Sequence, residues 1–81
     1  MTYKEKKQVK EYQKLINTGQ AWRFEGAIGR TAMELIELGY CCLGVKSHTD
    51  YYGNHVPSRF EVQKGTKGSL SYMRKKQKIF V

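Results

Sequence analysis

The stretch TYKEKKQVKEYQKLINTG, at residues 2–19, carries the clearest structural signal in the chain. Thr2 and Glu5 have the spacing of a capping box, in which each side chain satisfies a backbone N–H group of the other's turn. Apolar residues then recur at helical spacing as far as Ile16. Gly19 can adopt the left-handed conformation that ends many helices. The sequence therefore predicts a helix over residues 3–17.

Residues 21–38 predict a second helix, which ends at Gly39. Its charged face lies opposite an apolar face, which comprises Phe24, Ile28, Thr31 or Ala32, Leu35 and Leu38, with Ile36 beside it. Gly26 and Gly29 interrupt this pattern, and each costs about 1 kcal/mol relative to alanine inside a helix. These glycines let another backbone approach closely, or the helix breaks near Gly29 and restarts at a second capping box that begins at Thr31. We favour one helix that is bent or weakened at the glycines.

Residues 40–63 favour β-structure. A short β-prone run covers residues 40–45, and residues 59–62 alternate polar with apolar side chains as a half-buried strand does. Gly53 and Asn54 lie between β-prone residues, which predicts a hairpin turn. We therefore expect a small antiparallel sheet in this region.

The whole chain, residues 1–81, is expected to form one α+β domain. The two N-terminal helices would pack on the small sheet, and Ser69 would cap a short basic C-terminal helix or tail over residues 69–81. No apolar run approaches the ~18 residues of a membrane span. No apolar segment follows the N-terminal residues, so no secretory signal is visible and a cytoplasmic location is expected.

The charge of the chain is concentrated at its two ends. Fifteen Lys and Arg residues against seven Asp and Glu give a formal net charge of +8. Residues 1–20 hold five lysines and two glutamates, and residues 64–81 hold six basic residues and no acidic one. Basic ends attract nucleic acid, because each neutralised phosphate releases a counterion. The alternative is that they only keep a small protein soluble.

Aromatic and basic residues around the hairpin suggest a contact surface, which would comprise Tyr51, Tyr52, His55, Arg59 and Phe60. Rings stack on unpaired bases, and arginine adds phosphate or guanine contacts. The expected nucleic-acid contacts are Lys4, Lys7, Lys10, Lys14, Tyr51, Tyr52, Arg59, Arg74, Lys75, Lys76 and Lys78. Tyrosine and arginine also anchor protein interfaces, so the alternative is a protein-binding surface. Its expected residues are Trp22, Arg30, Tyr51 and Arg59.

Some of these aromatic residues have a simpler interpretation as core. Trp22 opens the second helix and is better suited to anchor the core than to contact a partner. One of Tyr51 and Tyr52, together with Phe60, would also be core if the strands alternate regularly.

The chain carries no recognisable catalytic or metal-binding motif. Cys41 and Cys42 are adjacent, whereas zinc sites space two cysteines so that both sulfurs reach one ion. In a strand, one of these cysteines would pack inward and the other would be half-exposed. His48 and His55 lie in a polar segment without a pocket motif. We expect no enzyme activity, no metal and no cofactor.

Three segments resemble an uncharacterised family of small tailed-bacteriophage accessory proteins. They are WRFEGAIGRTAM at residues 22–33, DYYGNHVPSR at residues 50–59 and GTKGS at residues 65–69. The resemblance implies expression in the cytoplasm of a bacterial host and a role in binding nucleic acid or in host takeover. In the second role the partner would be a host protein such as a polymerase, a protease or a division factor. A glycine-interrupted apolar face is also compatible with a homodimer.

Overall fold

The computed structural model describes residues 2–23 and 26–80, with side chains as far as residue 77. In chain order it contains α1 (Tyr3–Thr18), a 3-10 turn (Gln20–Trp22), α2 (Ala27–Leu38), β1 (His48–Thr49), β2 (His55–Val56) and α3 (Leu70–Phe80). The two strands pair antiparallel, with His48 opposite Val56. The fold is α+β, as predicted. Phe24, expected on the apolar face, lies outside the described residues.

Both ends of α1 follow the local signals in the sequence. The Thr2 hydroxyl accepts a hydrogen bond from the backbone N–H of Glu5 and donates to the Glu5 carboxylate at 3.0 Å. At the other end Gly19 has a φ of 86°, and its N–H donates to the Ile16 carbonyl. The predicted helix over residues 3–17 is therefore confirmed, with one more residue at its C-terminus.

The prediction of a single helix over residues 21–38 is wrong. A 3-10 turn ends at Trp22, and a new helix starts at Ala27 rather than at Thr31. Gly26 has φ 93° and ψ −127°, a conformation open mainly to glycine, so the helix cannot continue through it.

Gly29 lies inside α2 and lets another stretch of backbone approach the helix closely, which was the first of the two explanations for the glycines. A Cβ at Gly29 would lie 3.4 Å from the carbonyl oxygen of Ala21. The close approach is therefore between α2 and the 3-10 turn of the same chain. Gly29 is one of the two glycines that made a homodimer plausible, and here it packs against the same chain.

The core lies where α1, the 3-10 turn and α2 meet. It contains Ile16, Ala21, Trp22, Ala32, Ile36, Cys41 and Leu43. Trp22 is only 5% exposed, which confirms its interpretation as a core anchor. The buried face of α2 is centred on Ile36, whereas Ile28 and Leu38 are 36% and 54% exposed.

The predicted strand at residues 40–45 is absent, because a side chain takes the place of a partner strand. The Gln13 amide nitrogen donates to the Cys42 carbonyl at 3.0 Å, and the Cys42 N–H donates to the Gln13 amide oxygen at 2.9 Å. Cys41 and Cys42 are both buried, so the expectation that one of them would be half-exposed is wrong.

Within the described residues, no helix is both long enough and apolar enough to span a membrane.

Candidate nucleic-acid interface

A basic groove of about 650 Å³ lies between the segment 59–64 and the first turns of α3. It is lined by Arg59, Phe60, Val62, Lys64, Ser69, Leu70, Ser71, Arg74 and Lys75. Four of these side chains are cationic, and none carries a carboxylate. The structure thus brings together three predicted nucleic-acid contacts, Arg59, Arg74 and Lys75. We refer to this surface as the basic groove.

Arg59 is held on the wall of the groove by two hydrogen bonds. Its backbone N–H donates to the Gly44 carbonyl at 2.8 Å, and its Nε donates to the Leu43 carbonyl at 2.9 Å. Within the described part of the chain, its two terminal guanidinium nitrogens have no hydrogen-bond partner. An arginine anchored through Nε keeps a planar pair of donors for a phosphate or carboxylate.

The segment that carries Phe60 is a turn, so the prediction of a strand over residues 59–62 is wrong. The Glu61 N–H donates to the Ser58 carbonyl at 3.1 Å, and the Phe60 N–H donates to the Ser58 hydroxyl at 3.3 Å. The turn leaves the Phe60 ring 75% exposed at the groove, which also excludes Phe60 from the core. An exposed ring beside cations can stack on a flat ligand.

Glu61 fixes this turn through both of its carboxylate oxygens. One carboxylate oxygen accepts the Ser58 N–H at 2.6 Å, and the other lies 3.1 Å from Nε2 of His55 on β2. The Ser58 N–H, followed by the His55 contact, lowers the pKa of Glu61. The ionised carboxylate thereby ties the turn to the hairpin.

The helix α3 forms the opposite wall and is docked through its N-terminal turns. Ser69 caps it as predicted, because its hydroxyl accepts the Tyr72 N–H at 3.2 Å. The Tyr72 hydroxyl donates to the Glu37 carbonyl at the end of α2, at 2.7 Å. Arg74 and Lys75 are exposed on the side of α3 that faces the groove. The basic C-terminal helix is therefore packed on the body of the protein.

The remaining basic candidates lie apart from the groove. Lys4, Lys7, Lys10 and Lys14 are exposed on α1, on the side opposite the buried Ile16. Lys76 is half-buried, and its ammonium lies 5.6 Å from the centre of the Tyr72 ring. The side chain of Lys78 is outside the described part. No described Lys or Arg side chain forms an ion pair with a described carboxylate, so the exposed lysines of α1 are available to an anionic partner.

The aromatic hairpin loop lies on a different surface from the basic groove. Gly53 has a φ of 85°, and its N–H donates to the Asp50 carbonyl at 3.1 Å. The Asp50 N–H in turn donates to the Asn54 carbonyl at 2.9 Å. The predicted hairpin is confirmed, with residues 51–53 as its loop, a three-residue type that favours a left-handed glycine.

Both hairpin tyrosines are exposed, so neither belongs to the core. Tyr51 and Tyr52 are 57% and 66% exposed, and their rings meet edge to face at 5.2 Å. They border a second cavity of about 370 Å³, together with Trp22 and Arg30. This cavity, which we call the hairpin cleft, unites three predicted protein-binding residues, Trp22, Arg30 and Tyr51. It does not include Arg59.

Neither of the two cavities is lined by a cysteine or histidine among the described residues. Burial, and then the neighbouring Cys42, raise the pKa of Cys41 to about 12. Burial also raises the pKa of Cys42, against the opposing effect of Arg59. Among the described residues, no three His, Cys, Asp or Glu side chains lie close enough together to hold a metal ion.

Lys64 belongs to the groove but was not among the predicted contacts, whereas Phe60 was among the aromatic residues expected to form a contact surface around the hairpin. Lys64 follows the turn in a Gly-rich loop, where its charge was visible but its neighbours were not. The alternating pattern of residues 59–62 left Phe60 open between the contact surface and the core, and its 75% exposure assigns it to the surface. No family model, curated protein or solved structure matches this chain.

Proposed function

We propose that this protein is a small non-enzymatic binding protein for single-stranded nucleic acid, with the basic groove as its contact surface. One observation carries the proposal: four cations and a 75% exposed phenylalanine line the same groove, and none of its described lining residues carries a carboxylate. At about 650 Å³ the groove is in the size range of small-molecule sites, and it is large enough for a nucleotide.

Each groove residue has a role that follows from its position. The anchored guanidinium of Arg59 presents two parallel donors to a phosphate. Arg74 and Lys75 supply further phosphate contacts along α3. Phe60 stacks on a base, which must be unpaired for its face to be accessible. Single strands are therefore preferred to duplexes.

The exposed lysines of α1 have a secondary role in this proposal. They increase the rate of encounter with a polyanion without reading its bases. The resemblance at residues 22–33 and 50–59 supports a cellular setting, in which the protein acts in the cytoplasm of a bacterial host during phage infection. Within that setting the ligand is a single-stranded intermediate of host or phage nucleic acid.

Two variants of equal charge change test the location of the site. Arg74→Gln/Lys75→Gln removes two groove cations, and Lys7→Gln/Lys14→Gln removes two cations from α1. Fluorescence anisotropy with a labelled 12-nucleotide single strand should show a much larger loss of affinity for the groove variant. Equal losses would mean that net charge alone drives binding, and would contradict the proposed site.

A third variant tests the stacking role of Phe60. Phe60→Leu keeps an apolar side chain but removes the aromatic face, and the exposed position makes a folding defect unexpected. Loss of base stacking typically costs about 1–3 kcal/mol per base, so single-strand affinity should fall by roughly 5- to 150-fold. Duplex affinity should stay the same. An equal loss on both nucleic acids would contradict stacking on an unpaired base.

A second candidate function, binding of a host protein, is favoured by the hairpin cleft. Trp22, Arg30 and Tyr51 border this cleft, which lies apart from the groove. Affinity capture from nuclease-treated host lysate should retain a defined protein partner, and Tyr51→Ala/Tyr52→Ala should release it. A partner that is lost on nuclease treatment would refute this second function and support the first.

A further inference from the structure

The hairpin cleft combines aromatic and apolar side chains with a local excess of negative charge. Tyr51, Tyr52 and the 42% exposed Met33 supply exposed apolar surface around a cavity of about 370 Å³. Such a size and an apolar lining are typical of sites that enclose one side chain or a small ligand.

Three carboxylates border this cleft against one cation. Glu34 and Glu37 project from α2, Asp50 lies at the base of the hairpin loop, and Arg30 is the only basic side chain among the described residues of the lining. The net charge of the cleft lining is therefore negative, whereas the whole chain carries a net charge of +8. A phosphate or an acidic peptide would be repelled here, whereas a cation would be attracted.

The carboxylates have different roles in the cleft. Asp50 is occupied by the hairpin loop, because Oδ1 accepts the backbone N–H groups of Tyr52 at 2.9 Å and Asn54 at 2.8 Å. Glu34 and Glu37 are exposed on α2, and neither forms an ion pair with a described residue. These two carboxylates are therefore free to bind an incoming cation.

We propose that the hairpin cleft binds the guanidinium group of an arginine on the surface of a partner protein. This inference deepens the second proposed function and is independent of the basic groove. A guanidinium is planar, so it can stack on Tyr51 or Tyr52 while its N–H groups donate to Glu34 and Glu37. An ammonium group lacks the flat face and the paired donors, so lysine fits this site less well.

The net charge of the chain further defines this partner. A chain of +8 is attracted over a distance by an acidic protein surface. The hairpin cleft then selects an arginine within or beside that acidic surface. The basic ends thus increase the association rate, and the cleft determines the orientation of the complex.

The single tryptophan provides a direct measurement of cleft occupancy. Trp22 borders the cleft and is the only Trp in the chain, so its emission reports on a bound ligand. The probe is the tripeptide acetyl-Gly-Arg-Gly-amide at low salt, with its citrulline counterpart as a neutral isostere. We expect a saturable change in Trp22 emission with the arginine peptide, and amide chemical shift changes at Met33 and in residues 51–53. The citrulline peptide should produce neither.

Two matched variants locate the charge that binds the probe. Glu34→Gln should weaken the arginine peptide by about threefold or more, which corresponds to about 0.6 kcal/mol. Glu11→Gln on α1 removes the same charge from an exposed helical position elsewhere and should have no effect. Equal binding of the citrulline peptide, equal effects of the two variants, or no saturable change up to 20 mM peptide would each overturn the inference.

These outcomes are distinguishable from failure of the second proposed function. If the arginine peptide does not bind while Tyr51→Ala/Tyr52→Ala still releases a protein from the nuclease-treated lysate, the surface binds a protein without using a guanidinium. If the peptide binds as expected, the arginine of a captured partner can be replaced by glutamine. That replacement should reduce capture as much as the tyrosine variant does.

Discussion

Replacement of Gly39 by alanine tests whether α3 is docked in the position that the basic groove requires. Gly39 ends α2 with a φ of 86°, and a Cβ added there would overlap the Cβ of Lys76 on α3. Gly53 provides a matched control, because it has nearly the same φ of 85° and nothing within 4 Å of its added Cβ. The two substitutions therefore share the backbone strain and differ in the contact with α3.

The expected magnitudes follow from these two terms. A Cβ in the left-handed region costs about 1–2 kcal/mol, and this applies to both variants. An overpacked contact adds about 1–3 kcal/mol, and this applies only to Gly39→Ala. Gly53→Ala should thus lower the free energy of unfolding by about 1–2 kcal/mol and Gly39→Ala by about 2–5 kcal/mol. In a domain of this size each kcal/mol corresponds to about 4–8 °C in Tm.

Urea unfolding followed by Trp22 fluorescence measures both free energies, and a compensating variant identifies the contact. Lys76→Gly removes the overlapping Cβ, so it should be less destabilising in the Gly39→Ala background than in the wild type. Oligonucleotide affinity should fall for Gly39→Ala, because α3 carries Arg74, and should remain unchanged for Gly53→Ala. Equal destabilisation by the two glycine substitutions, without compensation, would refute the docked position of α3.

Three further predictions concern the groove, the turn beside it and the core. If four groove cations neutralise phosphates of a single strand, log affinity should fall with log salt at a slope of about −2.8. Arg74→Gln/Lys75→Gln should halve this slope. A slope steeper than about −5 would mean that the α1 lysines also contact phosphates, and would contradict a site confined to the groove. The lowered pKa of Glu61 means that its ionised form stabilises the fold above its ordinary value of 4.5, and that this contribution is lost as the pH falls through the lower pKa of the folded state. Glu61→Gln should therefore lose less stability than the wild type between pH 5 and pH 3 in urea unfolding, and identical pH profiles would contradict this role. Burial raises the pKa of Cys41 to about 12 and also raises the pKa of Cys42, so neither thiol ionises readily at pH 8. Both cysteines should therefore react with a disulfide reagent far more slowly in the native protein than in the unfolded chain. Equal rates would show that the segment opens readily.

The parts of the fold that the sequence predicts correctly are those set by neighbouring residues. Thr2 and Gly19 mark the two ends of α1 through hydrogen bonds within their own turns, and Ser69 caps the start of α3 in the same way. The break before α2 could not be located, because it depends on the unusual backbone conformation of Gly26 rather than on a capping sequence. The prediction of a strand at residues 40–45 was wrong because the backbone of Cys42 bonds to the Gln13 side chain, which lies 29 residues away along the chain.

The candidate site shows the same division between local and distant information. Charge alone selected Arg74 and Lys75, and residue type alone selected Arg59 and the tyrosines. Which of them share a surface depends on contacts between distant segments, and these place Arg59 with α3 and the tyrosines with α2. The sequence therefore suggested one mixed surface where the structure has two surfaces of opposite charge.

The short segment 41–44 connects α1 to the two walls of the basic groove. Cys42 is bound to α1 through Gln13, and the Leu43 N–H donates to the Gly68 carbonyl, just before α3, at 2.9 Å. The carbonyls of Leu43 and Gly44 hold Arg59. A single irregular segment thus fixes α1, the loop before α3 and the turn that carries Phe60. Regular pairing in a sheet would have occupied these backbone groups with one another, so the loss of the predicted strand is what leaves them free to position Arg59 on the wall of the groove.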